Sequence, residues 1–95
     1  MRVLLVEDEK KTASFVRKAL QAESFAVDVV ANGEDALLAA GGTPFDAIVL
    51  DIMLPGRDGL SVLRRLRERK NSTPVLLLSG VTWIAQLRPK VALLS

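Results

Sequence analysis

The sequence contains no cysteine and no histidine, and each absence excludes a class of site. Without cysteine there is no disulfide framework, no thiol chemistry and no thiolate metal site. Without histidine there is no imidazole base and no imidazole metal ligand, and the chain itself cannot act as a histidine phosphodonor. A metal bound by the side chains that remain would have to use oxygen ligands.

Long apolar runs and a strong charge of one sign are missing too. The first apolar run has only four residues, so no signal peptide is predicted, and no run is long enough to span a membrane. We therefore expect one domain of a soluble cytoplasmic protein.

The net charge is only +2. We interpret the basic run at residues 64–70 as the solvated face of a helix; the alternative is a nucleic-acid patch, which lacks interleaved aromatic residues.

Short apolar runs alternate with segments of helical spacing. Residues 3–6 are continuously apolar, which is typical of a strand buried on both faces. The predicted strands are residues 3–6, 27–31, 46–50 and 75–79, and the predicted helices are residues 10–23, 34–40 and 60–69. This alternation predicts an α/β fold with a parallel sheet and helices on both faces.

The last fifteen residues fit this pattern less well. Residues 81–88 are predicted as a short helix that Pro89 stops, and residues 91–94 as a fifth strand. A parallel crossover usually needs a dozen or more residues, so a parallel fifth strand is only marginally compatible with this spacing. The alternatives are irregular packing of the tail or pairing with another chain.

Acidic or hydroxyl residues follow three of the predicted strands. Glu7 and Asp8 follow the first strand, Asp51 follows the third, and Ser79 ends the fourth. The carboxyl ends of parallel strands form one edge of a sheet, so these groups should converge there. Carboxylates this close repel one another unless a cation is present, which points to Mg²⁺ and a phosphoryl group.

A simpler interpretation of the same residues stays open. Asp51 would only begin a turn, Glu7 and Asp8 would cap the first helix, and Ser79 would be an ordinary strand-end hydroxyl. In the loop after Asp51, Gly56 is expected to adopt a positive φ and Asp58 to cap the next helix.

Three stretches, residues 3–9, 51–59 and 73–79, occur in order at compatible spacings. In these stretches the chain resembles the receiver domain of two-component response regulators, of the type found in winged-helix transcription factors. The resemblance covers residues 1 to about 80 and implies a flavodoxin-like, doubly wound sheet of order 2-1-3-4, with the fifth strand missing or atypical. Residues 1–80 would form the receiver core, and residues 81–95 an atypical tail.

The resemblance also implies a role for each matched residue. Asp51 would be the phosphoacceptor for a phosphoryl group from a sensor histidine kinase. Asp8, Asp51 and the backbone carbonyl of Met53 would be Mg²⁺ ligands, and Glu7 would act through a water molecule. Ser79 would be the switch hydroxyl that turns toward the phosphoryl group. Such a domain is expected to signal and not to be an enzyme, and it is not expected to bind nucleic acid or a membrane directly.

The sequence departs from the family after Gly80. Receivers continue with a helix, a fifth strand that carries an aromatic switch residue, and a Lys-Pro pair. Here Lys90 follows a proline instead of preceding one, and Trp83 is interpreted as a core or interface anchor. The fourth strand is therefore expected to be an open edge, which predicts a homodimer or a swapped assembly that involves residues 91–94.

Two other functions compete with signalling. A Mg²⁺-dependent phosphohydrolase would use a second Asp two positions after the nucleophile, but that position is Met53, which cannot transfer a proton. A receiver remnant that serves only as an interaction or dimerisation module is the other alternative. Phosphorylation of Asp51 separates signalling from the remnant.

Overall fold

The computed structural model describes residues 1–56, 58–79 and 82–87. Within these residues, strands and helices alternate as the sequence predicts. They are β1 (Arg2–Val6), α1 (Lys10–Ala22), β2 (Ala26–Val30), α2 (Gly33–Gly42), β3 (Ala47–Asp51), α3 (Gly59–Glu68), β4 (Val75–Ser79) and β5 (Thr82–Leu87).

The strands form one sheet in the order β2-β1-β3-β4-β5. The first four strands are parallel, which confirms the predicted order 2-1-3-4. Val6 pairs with Leu50, and Asp51 pairs with Leu78, so the carboxyl ends of β1, β3 and β4 lie side by side. This register brings the residues that follow each strand to a single edge of the sheet.

Both faces of the sheet are covered by helices. On β1, Leu4 and Val6 belong to the apolar cluster shared with α2 and α3, while Val3 and Leu5 belong to the cluster shared with α1. All four side chains are buried, which confirms the prediction of a strand covered on both sides. The helical faces differ in detail from the prediction. The apolar spacing predicts inner faces made of Ala13, Val16, Ala19 and Leu20 in α1 and of Leu60, Leu63 and Leu66 in α3. Ala19 is exposed, Leu20 and Leu60 are only half-buried, and Val62 is buried in addition.

Each helix begins at a residue whose side chain accepts a backbone amide. Glu9 accepts from Thr12 N at 2.6 Å at the start of α1. Asn32 does the same for α2, and Asp58 accepts from Ser61 N at 2.8 Å for α3, as predicted. The cap of α1 is therefore Glu9, so the interpretation of Glu7 and Asp8 as its caps is wrong.

The fifth strand corrects the prediction for the tail. Residues 82–87, predicted as part of a helix, form β5, which pairs antiparallel with β4. An antiparallel neighbour needs only a tight turn, whereas a parallel one needs a long crossover, and Thr, Trp and Ile favour strands. The edge of β4 is therefore covered, and the predicted open edge is wrong. The predicted strand at residues 91–94 lies outside the described residues.

None of the helices in the described ranges is long and apolar enough to cross a membrane.

The loop between β3 and α3 brings the two elements into close contact. Gly56 has φ +78°, which confirms the predicted turn. The amide of Gly59, the first residue of α3, donates to the carbonyl of Ile52 at 2.7 Å. A Cβ atom on Gly59 would collide with the backbone carbonyl of Asp51 and lie 2.8 Å from the Cα of Ile52. Only glycine fits here without moving the end of β3.

We predict that Gly59→Ala lowers the free energy of unfolding by about 1–3 kcal/mol, because the added methyl group forces backbone apart. Gly41→Ala is the matched control, since a Cβ at Gly41 meets open space within α2. The control should be neutral or stabilise by up to about 1 kcal/mol. Urea denaturation of the three proteins tests this, and equal effects of the two substitutions would contradict the close contact.

Candidate metal centre

Three carboxylates meet at the carboxyl edge of the sheet. Glu7 follows β1, Asp8 comes next, and Asp51 is the last residue of β3. One oxygen of each lies within 4.8 Å of the corresponding oxygens of the other two. Glu7 and Asp51 are only 3% and 4% exposed, whereas Asp8 is exposed. The predicted convergence of these residues is confirmed.

Glu7 is the most constrained member of this cluster. Its Oε2 accepts the amide of Glu9 at 3.0 Å, but its Oε1 is buried and has no hydrogen-bond partner among the described residues. Burial, helped by the neighbouring carboxyls of Asp51 and Asp8, raises the pKa of Glu7 to about 7, although the Glu9 amide opposes the shift. A buried acceptor without a donor is costly, so this oxygen is suited to a cation or to a water bound to one.

Asp51 is held by its own loop. Its Oδ1 accepts the amide of Met53 at 3.0 Å, and the next amide, that of Ile52, donates to Leu78 O at 3.0 Å across the sheet. Asp51 thus begins a turn, as the simpler interpretation had it, and also belongs to the carboxylate cluster. The Met53 side chain is 73% exposed, so only the backbone of this residue is held near the site.

The donor set fits a small hard cation. It has two buried carboxylates, one exposed carboxylate, and an orphaned buried oxygen on Glu7. Mg²⁺ prefers one or two carboxylates completed by waters and phosphate oxygens, and an exposed Asp8 leaves one side open for these. Like-charge repulsion within the cluster would be relieved by such a cation.

Ser79 ends β4, one residue beyond the partner of Asp51 in the sheet. Its backbone therefore lies on the strand next to that of Asp51. Its side chain is outside the described part of the structure, as is Lys90, so the switch role of Ser79 stays a prediction.

The sequence interpretation missed a pocket of about 230 Å³ that adjoins the cluster. It lies between α1 and β2 and includes two exposed basic side chains, Lys10 and Arg17. The full lining is Glu7, Asp8, Lys10, Ala13, Ser14, Arg17, Val29 and Ala31. A signal for it was present in the sequence, because residues 10, 14 and 17 recur at helical spacing directly after the acidic pair.

Comparison with known proteins gives a consistent result. The family model for the response regulator receiver domain matches residues 3–89. The transcriptional regulatory protein TcrA of Mycobacterium tuberculosis is 48% identical over 80 residues, which is 84% of this chain and 32% of TcrA. The transcriptional activator protein IrlR of Burkholderia pseudomallei is 51% identical over 80 residues, 84% of this chain and 34% of IrlR. The chain thus spans about a third of the length of these relatives.

Solved structures agree with the sequence matches. The response regulator protein TrrA of Thermotoga maritima, crystallised in complex with Mg²⁺ and BeF, has a TM-score of 0.80 and 33% identity. The similarity covers 85% of this chain and 70% of TrrA. The flavodoxin-like fold inferred from the sequence is therefore confirmed by comparison as well as by the strand order.

We predict that metal-free protein loses stability as the pH rises, through Glu7. The pKa of Glu7 is 4.5 when unfolded and about 7 when folded, so between these values the folded state binds more protons. The free energy of unfolding of the wild type, measured relative to that of Glu7→Gln, should fall by about 2 kcal/mol between pH 5 and pH 8. Urea denaturation in EDTA measures this difference.

Glu9→Gln is the control for this experiment. Hydrogen bonds from the amide and hydroxyl of Thr12 hold the pKa of Glu9 below its usual value, so Glu9 stays ionised throughout this pH range. The effect of Glu9→Gln on the free energy of unfolding should therefore be the same at pH 5 and pH 8. A Glu7→Gln difference equally independent of pH would show that Glu7 is charged in the metal-free fold.

Proposed function

This chain belongs to the response regulator receiver domain family, and we propose that it accepts a phosphoryl group on Asp51 from the phosphohistidine of a sensor histidine kinase. The observation that carries the proposal is the position of Asp51. It is buried at the end of β3, with carboxylate oxygens of Glu7 and Asp8 within 4.8 Å. A carboxylate in this setting is unfavourable for folding alone, and it is what a metal-assisted phosphoacceptor requires.

We assign Asp8, Asp51 and the backbone carbonyl of Met53 as the groups that would hold Mg²⁺, with Glu7 acting through a water. When bound, Mg²⁺ would neutralise charge on the carboxylates and on the phosphoryl oxygens. The amide of Met53 fixes the Asp51 carboxylate through Oδ1, so this residue would present its carboxylate in a single orientation.

The transfer step uses only Asp51 as the attacking group. A carboxylate oxygen of Asp51 attacks phosphorus and forms a P–O bond, while the P–N bond to the imidazole of the donor breaks. The electron pair of that bond stays on the imidazole nitrogen, which takes a proton from solvent. The product is an aspartyl phosphate and a neutral histidine. Asp51 is consumed as a substrate in this step, in keeping with the expectation that the chain is not an enzyme in its own right.

Ser79 is proposed to respond to the new charge. Its backbone ends the strand next to Asp51, and its hydroxyl would donate a hydrogen bond to a phosphoryl oxygen. That movement would be the conformational signal. A homodimer or swapped assembly stays a prediction, although β5 covers the edge of β4 from which it was inferred. A cytoplasmic location and the absence of direct nucleic-acid binding stay predictions too. A role in transcription is likewise a proposal, because the named relatives are about three times as long as the matched region.

The competing functions have less support. A remnant that only binds partners would have no need for a complete carboxylate cluster, yet all three acids are in place. A phosphohydrolase would need a proton donor at position 53, and the exposed thioether of Met53 cannot serve.

We predict that the chain gains one phosphoryl adduct when incubated with Mg²⁺ and phosphoramidate, a small donor with a P–N bond. Asp51→Asn should abolish the adduct, because the amide cannot attack phosphorus. Asp58→Asn is the matched control, since asparagine also caps helices well and Asp58 lies only seven positions further on. Intact-mass analysis reads out all three proteins.

An adduct that survives in Asp51→Asn would place the acceptor elsewhere. A folded wild-type protein without any adduct would overturn the proposed function.

A further inference from the structure

We propose that Lys10, at the start of α1, supplies positive charge to the phosphoryl group on Asp51. The other basic residue of the pocket, Arg17, lies about two helical turns further along α1. This inference rests on the proposed function of Asp51. The relevant observation is the pocket described above, in which Lys10 lies with Glu7 and Asp8 along one continuous surface. Asp51 does not line this pocket, but a carboxylate oxygen of Asp8 lies within 4.8 Å of one on Asp51, so Lys10 shares a surface with two members of the cluster that contains Asp51.

The placement of Lys10 is unfavourable for the helix. The first turn of α1 contains no acidic residue and begins with Lys10 and Lys11, whereas the first turn of α2 carries Glu34 and Asp35. A helix N-terminus has partial positive charge, so cations there are disfavoured and acids are favoured. In α2 these acids lie within the first turn, whereas in α1 the acid is the cap residue Glu9, and two lysines follow it directly beside the carboxylate cluster.

Neighbouring contacts distinguish the two lysines. Lys11 lies near the cap residue Glu9, whose ionised form it favours. Lys10 makes no ion pair or side-chain hydrogen bond with any residue in the described ranges, and it is exposed. The ammonium group of Lys10 is thus available to a ligand, on a flexible stem that lets it follow an anion.

The positive charge of Lys10 would affect both the carboxylates and the phosphoryl group. In the chain alone, Lys10 offsets part of the repulsion among the three carboxylates. With Mg²⁺ bound, the carboxylates are largely neutralised, and the incoming phosphoryl group brings new negative charge that a nearby ammonium would attract. Lys10 should therefore weaken Mg²⁺ binding slightly and strengthen the interaction with the phosphoryl group.

Lys10 is expected to act in opposite directions on Mg²⁺ binding and on phosphorylation, so a single substitution tests both effects. We predict that Lys10→Gln tightens Mg²⁺ binding about twofold to fivefold, because a repelling cation is removed. The same substitution should slow phosphorylation of Asp51 by phosphoramidate about threefold to tenfold at low salt, with the gap narrowing at high ionic strength. Calorimetric titration of Mg²⁺ and intact-mass time courses measure the two effects.

Two further variants separate charge from structure. Lys10→Arg keeps the charge and should restore the rate to within about twofold of the wild type. Lys11→Gln removes a charge from the same helical turn, so it shares any effect on the helix, but it should leave both measurements within about twofold.

The outcomes distinguish this inference from the one on which it rests. If the wild-type chain takes up no phosphoryl group, the proposed function fails and the assignment of Lys10 fails with it. If the wild type is phosphorylated and Lys10→Gln matches it in both rate and Mg²⁺ affinity, only the role of Lys10 is overturned. Equal effects of Lys10→Gln and Lys11→Gln would also overturn it.

Discussion

The candidate metal centre depends on a like-charge cluster that the sheet itself creates. Parallel pairing of β1 with β3 in the observed register puts residue 7 beside residue 51, and both carboxyls are buried there. Their mutual repulsion cannot be relieved by moving apart, because Ile52 is tied to Leu78 across the sheet and to Gly59 of α3. The fold thus holds three acids in an arrangement that a cation would stabilise, and the phosphoacceptor role proposed for Asp51 rests on that arrangement.

The core and the position of the cluster could be predicted from the sequence for physical reasons. Residues 3–6 are apolar at every position, which is typical of a strand covered on both faces, and acids directly after parallel strands lie at the carboxyl edge. Asp58 and Gly56 were predictable because capping and positive φ restrict the residue type strongly. These signals are local, so a single sequence is enough to read them.

Other features depend on contacts distant in sequence and were missed or wrong. The direction of β5 depends on whether a short connection can reach an antiparallel partner, and the apolar pattern of residues 82–87 does not encode this. The tight contact of Gly59 with Asp51 was not predicted, because it requires the packing angle of α3 on the sheet. Lys10 was predicted only as part of a helix, because the pocket that it shares with Glu7 and Asp8 forms where α1 lies beside β2.

The most direct test of this account is a calorimetric titration of Mg²⁺ into the wild-type chain and into a variant that combines Asp8→Asn with Asp51→Asn. The account predicts one Mg²⁺ ion per wild-type chain and no measurable binding to the variant, which should remain folded because two repelling charges are gone. Equal binding to the two proteins, or none to the folded wild type, would contradict the claim that the carboxylate cluster is a metal centre.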